Sequence, residues 1–227
     1  MAAGAIVAPS VTHGATRRHW RSPQCPPPHA HVVLADSAAV VFRLEDPITL
    51  AFSERACSHG SRSPFMLDQC PEFDCEGNPG FEELALSGNM LAYEVFYHEG
   101  SFRYQNDQPK SWVVQVHDLK THQLIHSAPA STSPPPPRKV IGGGPAEGIV
   151  VKSDGSVAWI GAIEGWHKEP LRVNEPTEAL SYQVWEIDRT GQHLLASGPQ
   201  IVPHSIALAG STVYWTDSGA PRSAHIS

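Results

Sequence analysis

Four segments of this chain repeat one hairpin pattern. Each has an apolar run, a tight turn rich in Ser, Gly or Asp, and a second apolar run, which is typical of a β-hairpin. The segments read HVVLADSAAVVF, EELALSGNMLAYE, GIVVKSDGSVAWI and HSIALAGSTVYW. Long stretches with helical periodicity are lacking. The chain is therefore predicted to be all-β.

The second strand of every copy carries an aromatic residue two positions after an aliphatic one. Residues two apart in a strand share a face, so each pair is predicted to pack on one side of its sheet. The aromatic positions lie 51, 66 and 56 residues apart. The aromatic residues are Phe42, Tyr93, Trp159 and Trp215, the aliphatic ones Val40, Leu91, Val157 and Val213, and the turn residues Ser37, Gly88, Asp154 and Gly210.

A second hairpin follows the better copies. WVVQVHDLKTHQLIHS and YQVWEIDRTGQHLLAS align, with Asp118 and Asp188 opening the turn and Leu124 and Leu194 six residues later. SERACSHGSRSPFMLD is a looser version in the first copy. The unit therefore has four antiparallel strands, A to D, and about 50 residues, which is typical of a β-propeller blade. A single blade cannot cover its own apolar faces, so several blades must stack.

The C-terminal segment VWEIDRTGQHLLASGPQIVPHSIALAGSTVYWTDSG contains the tetrapeptide Tyr-Trp-Thr-Asp at 214–217. It resembles the YWTD-type β-propeller repeat of lipoprotein-receptor ectodomains. The whole chain is similar to uncharacterised exported bacterial propeller proteins. In the receptor family the motif is structural and lies in the second strand of a blade, so the resemblance implies a scaffold and no particular activity.

The pattern predicts a β-propeller of about four antiparallel four-stranded blades. The domain spans 31–227, with blades near 31–67, 82–127, 147–198 and 204–227, after an N-terminal tail at 1–30. The last blade stops after APRSAHIS without a fourth strand. Either residues 1–30 supply that strand and close the ring, or the chain is an open fragment of a larger propeller. An open fragment exposes a strand edge and is expected to form oligomers.

The N-terminal segment and the cysteines indicate in which cellular compartment the protein is expected. MAAGAIVAPSVTHGATRRHW is similar to the latter half of a secretory signal peptide without its basic start; a disordered tail is the alternative. The chain has four cysteines, an even number, and they lack the CxxC spacing of zinc sites. They are therefore predicted to form two disulfides, for which three pairings are possible. Both features predict an exported, extracellular protein. The cysteines are Cys25, Cys57, Cys70 and Cys75.

Two classes of partner are disfavoured by composition. Sixteen Lys and Arg against 23 Asp and Glu give a formal charge of −7, so the basic face that nucleic acid requires is not expected. The sequence has no run of 18 apolar residues, so no membrane span is predicted.

Loop lengths predict where binding occurs. In a meander the A–B and C–D turns share one end, and the B–C and D–A loops share the other. The A–B turns are two or three residues long, whereas the long insertions at 68–82, 97–110, 127–148 and 164–180 all belong to the second class. Long loops gathered on one face of a rigid scaffold usually carry binding. The predicted ligand-binding residues are Tyr97, His98, Tyr104, Asp107, Trp166, His167, Glu169 and Asp217. The alternative is that Tyr104 and Trp166 only anchor their own loops.

The sequence contains no strong motif for metal binding, phosphate binding or catalysis. His117, His122 and His126 form H-x4-H-x3-H, but the hairpin reading places them on two strands and a turn, so no metal site is predicted. Asp68, Glu72, Asp74 and Glu76 lack an EF-hand register. GGGPAEG lacks the Lys-Ser/Thr of a phosphate loop, and neither GxSxG nor HExxH occurs. No catalytic residue or cofactor is predicted, and Ca²⁺ is the one ion left open.

The function predicted is that of a secreted, non-enzymatic binding module for a protein or carbohydrate partner. One alternative is a propeller-type hydrolase or lactonase with a central-channel site, and another is a structural envelope protein. The enzyme requires inward-pointing polar residues at the ends of the A strands. Apart from Lys152, the residues near those ends are apolar, which argues against it: Ala35, Leu86, Lys152 and Leu208.

Overall fold

The computed structural model describes residues 25–45, 51–61, 63–70, 83–98, 110–132, 144–164 and 179–227. Fifteen β-strands and no helix occur in these ranges. The strands form four antiparallel sheets, and within each sheet the spatial order follows the chain order. The prediction of an all-β chain built from antiparallel meanders is confirmed.

Three sheets have the predicted four strands. Sheet 1 contains β1 (His31–Ala35), β2 (Ala39–Glu45), β3 (Phe52–Ser58) and β4 (Phe65–Cys70). Sheet 2 contains β5 (Leu84–Ser87), β6 (Met90–His98), β7 (Lys110–Asp118) and β8 (Gln123–Pro129). Sheet 3 contains β9 (Ala146–Val151), β10 (Val157–Glu164), β11 (Ala179–Asp188) and β12 (Gly191–Gly198). Sheet 4 has three strands in the described ranges, β13 (Ala207–Ala209), β14 (Thr212–Asp217) and β15 (Ala220–His225).

The repeated aromatic residues lie between sheets. Tyr93 belongs to an apolar cluster with sheet 1, Trp159 to one with sheet 2, and Trp215 to one with sheet 3. Each aliphatic partner lies in the same cluster, which confirms that the pair shares a face. Each sheet thus presents these side chains to the sheet before it, and the four sheets stack in a propeller-like succession.

The residue between each pair faces the following sheet instead. Val41, Ala92 and Ala158 are buried against sheets 2, 3 and 4 respectively. Tyr214 occupies the same position in β14 and is 42% exposed. At this position the far face of sheet 4 is therefore exposed, whereas the corresponding faces of the other three sheets are buried.

The first sheet begins the stack in another way. Phe42 lies at the repeat position that faces the preceding sheet, but its cluster consists of Val40 and Cys57, with Cys25 and Ala30 packed against it. A disulfide joins Cys25 to Cys57, whose Cα atoms are 6.5 Å apart. Residues 25–30 thus cover the first face of the stack.

Ring closure is not seen in the described ranges. None of the apolar clusters found there joins sheet 4 to sheet 1. The strand expected from residues 1–30 is absent from 25–30, and residues 1–24 lie outside the described part.

The A–B turns gather at one end of the stack. Asp36 accepts a hydrogen bond from the backbone N–H of Gly88 at 2.6 Å, and a Cβ built on Gly88 lies 3.6 Å from the Cβ of Ser153. The third A–B turn, residues 152–156, is longer than the two or three residues predicted. The opposite end, from which the B–C and D–A connections leave, is called the long-loop end below.

Residues 226 and 227 fasten sheet 4 to sheet 3. Ile226 is fully buried in their shared cluster, and its N–H donates to the Ser211 carbonyl at 2.9 Å. Ser227 donates its N–H to Asp188 at 3.2 Å, and its carbonyl accepts from the Ser156 hydroxyl at 2.7 Å. The two bonds of Ser227 join sheet 4 to sheet 3 and add to the apolar contacts between these sheets.

We expect Ile226→Ala to lower the free energy of unfolding by about 2–4 kcal/mol, because it removes a fully buried side chain and leaves a cavity. Urea unfolding followed by tryptophan fluorescence measures the loss. Ile125→Ala is the matched control, since Ile125 is 38% exposed, and its effect should stay below about 1 kcal/mol. Equal losses in the two variants would contradict the fastening role of Ile226.

Candidate functional site

Three polar side chains from three successive sheets meet at the long-loop end. Glu83 immediately precedes β5, Glu147 is the second residue of β9, and His204 lies three residues before β13. The Nδ1 atom of His204 is 3.2 Å from Oε1 of Glu83, and its Nε2 is 3.2 Å from Oε2 of Glu147. β5, β9 and β13 are the first strands of their sheets; β9 contacts both others. These three residues are called the inner-strand cluster.

The backbone before β13 holds His204 in place. Its N–H donates to the carbonyl of Glu147 at 2.6 Å, and its φ of 56° lies in the left-handed region. Gly148 allows this close approach, since a Cβ there would lie 3.0 Å from Cγ2 of Ile206, and its φ is 141°. Few non-glycine residues adopt a left-handed conformation, and those that do often serve a site.

The cluster is accessible and can hydrogen-bond in both directions. The side chain of His204 is 64% exposed, and those of Glu83 and Glu147 are 19% and 27% exposed. Only a doubly protonated imidazole can donate to both carboxylates at once. Burial, and secondarily the charge of Glu147, raises the pKa of Tyr182, so this phenol is a donor at neutral pH. Such a group of donors and acceptors suits a hydroxyl-rich or cationic ligand.

The geometry does not resemble a metal centre. The two carboxylates contact different nitrogens of the imidazole ring, so the three groups do not converge on one point. In the part of the chain that the structure describes, no group of three His, Cys, Asp or Glu residues is arranged to hold a metal ion.

Asp217 is the one predicted binding residue whose side chain is described. It ends β14, accepts a hydrogen bond from the Ser218 hydroxyl at 3.0 Å, and lies 3.9 Å from Nε of Arg222. Its backbone pairs with Ile201, in the same connection that carries His204. Asp217 and the inner-strand cluster are thus linked by one short segment of chain.

The other predicted binding residues are placed only in part. Tyr97 and His98 end β6, where their backbones pair with Ser111 and Lys110. Five more lie outside the described residues: Tyr104, Asp107, Trp166, His167 and Glu169.

One predicted disulfide is present. The Cys25–Cys57 bridge selects one of the three connectivities, in which Cys70 pairs with Cys75. Cys70 ends β4, and Cys75 lies outside the described residues, so the second bridge stays a prediction.

The histidine motif is divided between two faces of sheet 2. His117 lies in β7 against Phe65 of sheet 1. His126 in β8 pairs with Val116, whose side chain packs toward sheet 3. His122 occupies the turn between these strands with a φ of 59°. The three imidazoles therefore do not share a face.

The inner-strand cluster was not predicted from the sequence. The prediction concerned the A-strand ends next to the A–B turns, near Ala35, Leu86, Lys152 and Leu208. The opposite ends of β5, β9 and β13 carry the acidic and histidine residues. The sequence did contain a signal for this cluster. On the first strand of a sheet, one residue pairs with the repeated aromatic residue of the second strand, and Glu83 and Glu147 come one and two positions before that residue. Their convergence on His204 depends on how the sheets stack.

Comparisons with known proteins add no family. No protein-family model matches the chain, and no curated protein matches it. Among the described residues there is no helix of the length and apolarity needed to cross a membrane.

Proposed function

We propose that this chain is an exported β-propeller-type binding module that takes a protein or glycan partner at its long-loop end. The observation that carries the proposal is the inner-strand cluster, in which three successive sheets contribute Glu83, Glu147 and His204 to one exposed group. Binding surfaces on repeat scaffolds commonly use one residue from each of several neighbouring units.

The architecture we propose is an open succession of four blades. Residues 25–30 cover its first face, and β14 presents the exposed Tyr214 on its last face. The YWTD-like tetrapeptide is a packing element in this arrangement, since Trp215 is buried against sheet 3. The Cys25–Cys57 bridge supports export, because such bonds persist in oxidising compartments.

A second candidate is a hydrolase that acts at the same end. The cluster places acidic and histidine side chains at the ends of three first strands, as the channel-site alternative requires. An exposed imidazole next to carboxylates has the groups of a general acid–base pair. Each ring nitrogen of His204 already contacts a carboxylate of the protein itself. For this reason the binding module remains our first proposal.

The test combines binding and turnover on the same variants. Purified protein is applied to an array of extracellular glycans and peptides, and to chromogenic esters and lactones. Glu83→Gln and Glu147→Gln keep side-chain size but remove a negative charge, and His204→Asn tolerates the left-handed backbone. We expect at least a tenfold loss of affinity for the bound ligand in each variant, because each substitution removes a hydrogen-bonding group of the cluster.

Asp154→Asn is the matched control. Asp154 lies in the turn beyond the other end of β9, and asparagine retains an acceptor for the N–H of Ser156. This variant should bind like the wild type. If the wild type turns over a substrate and His204→Asn abolishes this activity, the hydrolase replaces the binding module as the proposed function. If the wild type shows neither binding nor turnover, a structural role is favoured.

A further inference from the structure

His117 lies inside the interface between sheets 1 and 2. The residue is 9% exposed, and its ring lies between Phe65 of β4 and Tyr93 of β6, with centroid distances of 4.7 and 5.6 Å. Its Nε2 is 3.4 Å from Oε1 of Gln115. Its Nδ1 is buried and has no hydrogen-bond partner within the described ranges. The imidazole therefore fills an aromatic interface with one nitrogen unsatisfied.

The other three sheets carry a non-basic residue at the same position. In each sheet this residue pairs with the aliphatic member of the repeated pair on the second strand. Leu91 pairs with His117, and Val157 pairs with Ile187. The corresponding residues in sheets 1 and 4 are Cys57 and Ala224. An imidazole here is a departure from the repeat, and Ile187 shows what side chain the position otherwise accepts.

The interface accommodates a neutral imidazole only. A protonated ring needs acceptors for two N–H groups, and Nδ1 faces none. The titratable or charged groups on the facing surfaces of sheets 1 and 2 include Tyr93 and His122, the latter 5.8 Å from the Phe65 ring. They also include the Arg43–Glu54 ion pair, which lies on the same face of sheet 1 as Val41 and Ala56. Burial is the cause that lowers the pKa of His117 below its ordinary 6.5. Protonating the closed interface therefore costs free energy.

We propose that the contact between sheets 1 and 2 is an acid-sensitive switch, and that proton uptake by His117 separates the two sheets. Separation hydrates the imidazole and exposes the apolar surface around Phe65 and Tyr93. It leaves the cap at residues 25–30 attached to sheet 1, because the Cys25–Cys57 bridge lies within that unit.

The direction of the pH dependence follows from linkage. The separated state binds a proton near pH 6.5, whereas the closed state binds it only at lower pH. The closed state is thus favoured in full above pH 6.5 and loses its advantage as the pH falls below that value. The opening equilibrium rises by up to about tenfold for each pH unit until the closed state is protonated as well.

Amide hydrogen exchange, corrected for the intrinsic effect of pH, tests this in the full chain. We expect protection of peptides from β4 and β7 to fall by up to about tenfold between pH 7.5 and pH 5.5. In His117→Ile, which copies sheet 3, this acid-dependent loss should disappear. His122→Asn removes an exposed imidazole next to the same Phe65 ring and should behave like the wild type.

Two results would overturn the proposal. One is unchanged protection of β4 in the wild type at pH 5.5, and the other is equal acid sensitivity in His117→Ile and wild type. His126, on the opposite face of sheet 2, also has a pKa that burial lowers, with Asp188 opposing the shift. It is present in both proteins, so their difference isolates His117. If the isoleucine variant does not fold, an NMR titration of His117 in the wild type decides: a midpoint at or above 6.5 refutes the switch.

Discussion

Gly161→Ala is expected to destabilise the chain by about 3–5 kcal/mol, enough to unfold many domains of ordinary stability. A Cβ on this residue of β10 would lie 1.9 Å from the carbonyl oxygen of Ala130 and 2.8 Å from its carbonyl carbon. These are backbone atoms, so no side-chain rotation relieves the clash. The sheet 2–sheet 3 interface has to separate locally, and packed interfaces tolerate such expansion poorly.

Thermal and urea unfolding of Gly161→Ala measure the loss, with Gly198→Ala as the control. Gly198 ends β12, and nothing lies within 4 Å of a Cβ built there. Its replacement should leave stability unchanged or raise it slightly, since alanine reduces the entropy of the unfolded chain. A Gly161→Ala protein as stable as the control would show that sheets 2 and 3 do not pack as closely as described.

Trp159→Ala should cost about 3–5 kcal/mol, because the side chain is fully buried in the cluster that joins sheets 2 and 3. The indole also donates a hydrogen bond from Nε1 to the carbonyl of Ala130 at 2.6 Å. Trp159→Phe separates the two contributions. It keeps an aromatic ring but leaves that buried carbonyl without this donor, for an expected loss of about 1–3 kcal/mol.

Tyr214→Ala provides the comparison for an exposed aromatic residue, on the second strand of sheet 4. Tyr214 is 42% exposed, so its removal should change stability by less than about 1 kcal/mol. We also expect Trp159→Phe and Gly161→Ala to be non-additive, because both act on the carbonyl of Ala130. Simple additivity would contradict a shared contact at that carbonyl. Equal losses for Trp159→Ala and Tyr214→Ala would contradict the full burial of Trp159.

The hairpin pattern predicts much of the packing because a strand has a period of two. Leu91 and Tyr93 share a face, and the alternate residue Ala92 takes the other face, as the structure shows. By contrast, the sequence does not show why a glycine is required at a given position. Gly161 sits in an apolar strand, and only the approach of Ala130 shows why no larger residue fits.

The candidate site was harder to predict than the sheets. His204 meets Glu83 and Glu147 although the three belong to different repeats, and each alone resembles an ordinary polar residue beside a strand. Their proximity depends on how far successive sheets rotate and how the connections run. No local periodicity encodes these quantities, and the expectation of binding at the long-loop end rests on loop length alone.

By itself the sequence determined the strands, the four-part repeat and the side of each strand that is apolar, because these depend on local alternation and turn chemistry. The tertiary structure decided which faces meet. Phe42 has the same position as Trp159, yet one is covered by residues 25–30 and the other by sheet 2. Apolar packing is non-directional, so an aromatic face specifies that it must be covered but not by what. The partner is set by chain connectivity and by specific links such as the Cys25–Cys57 bridge.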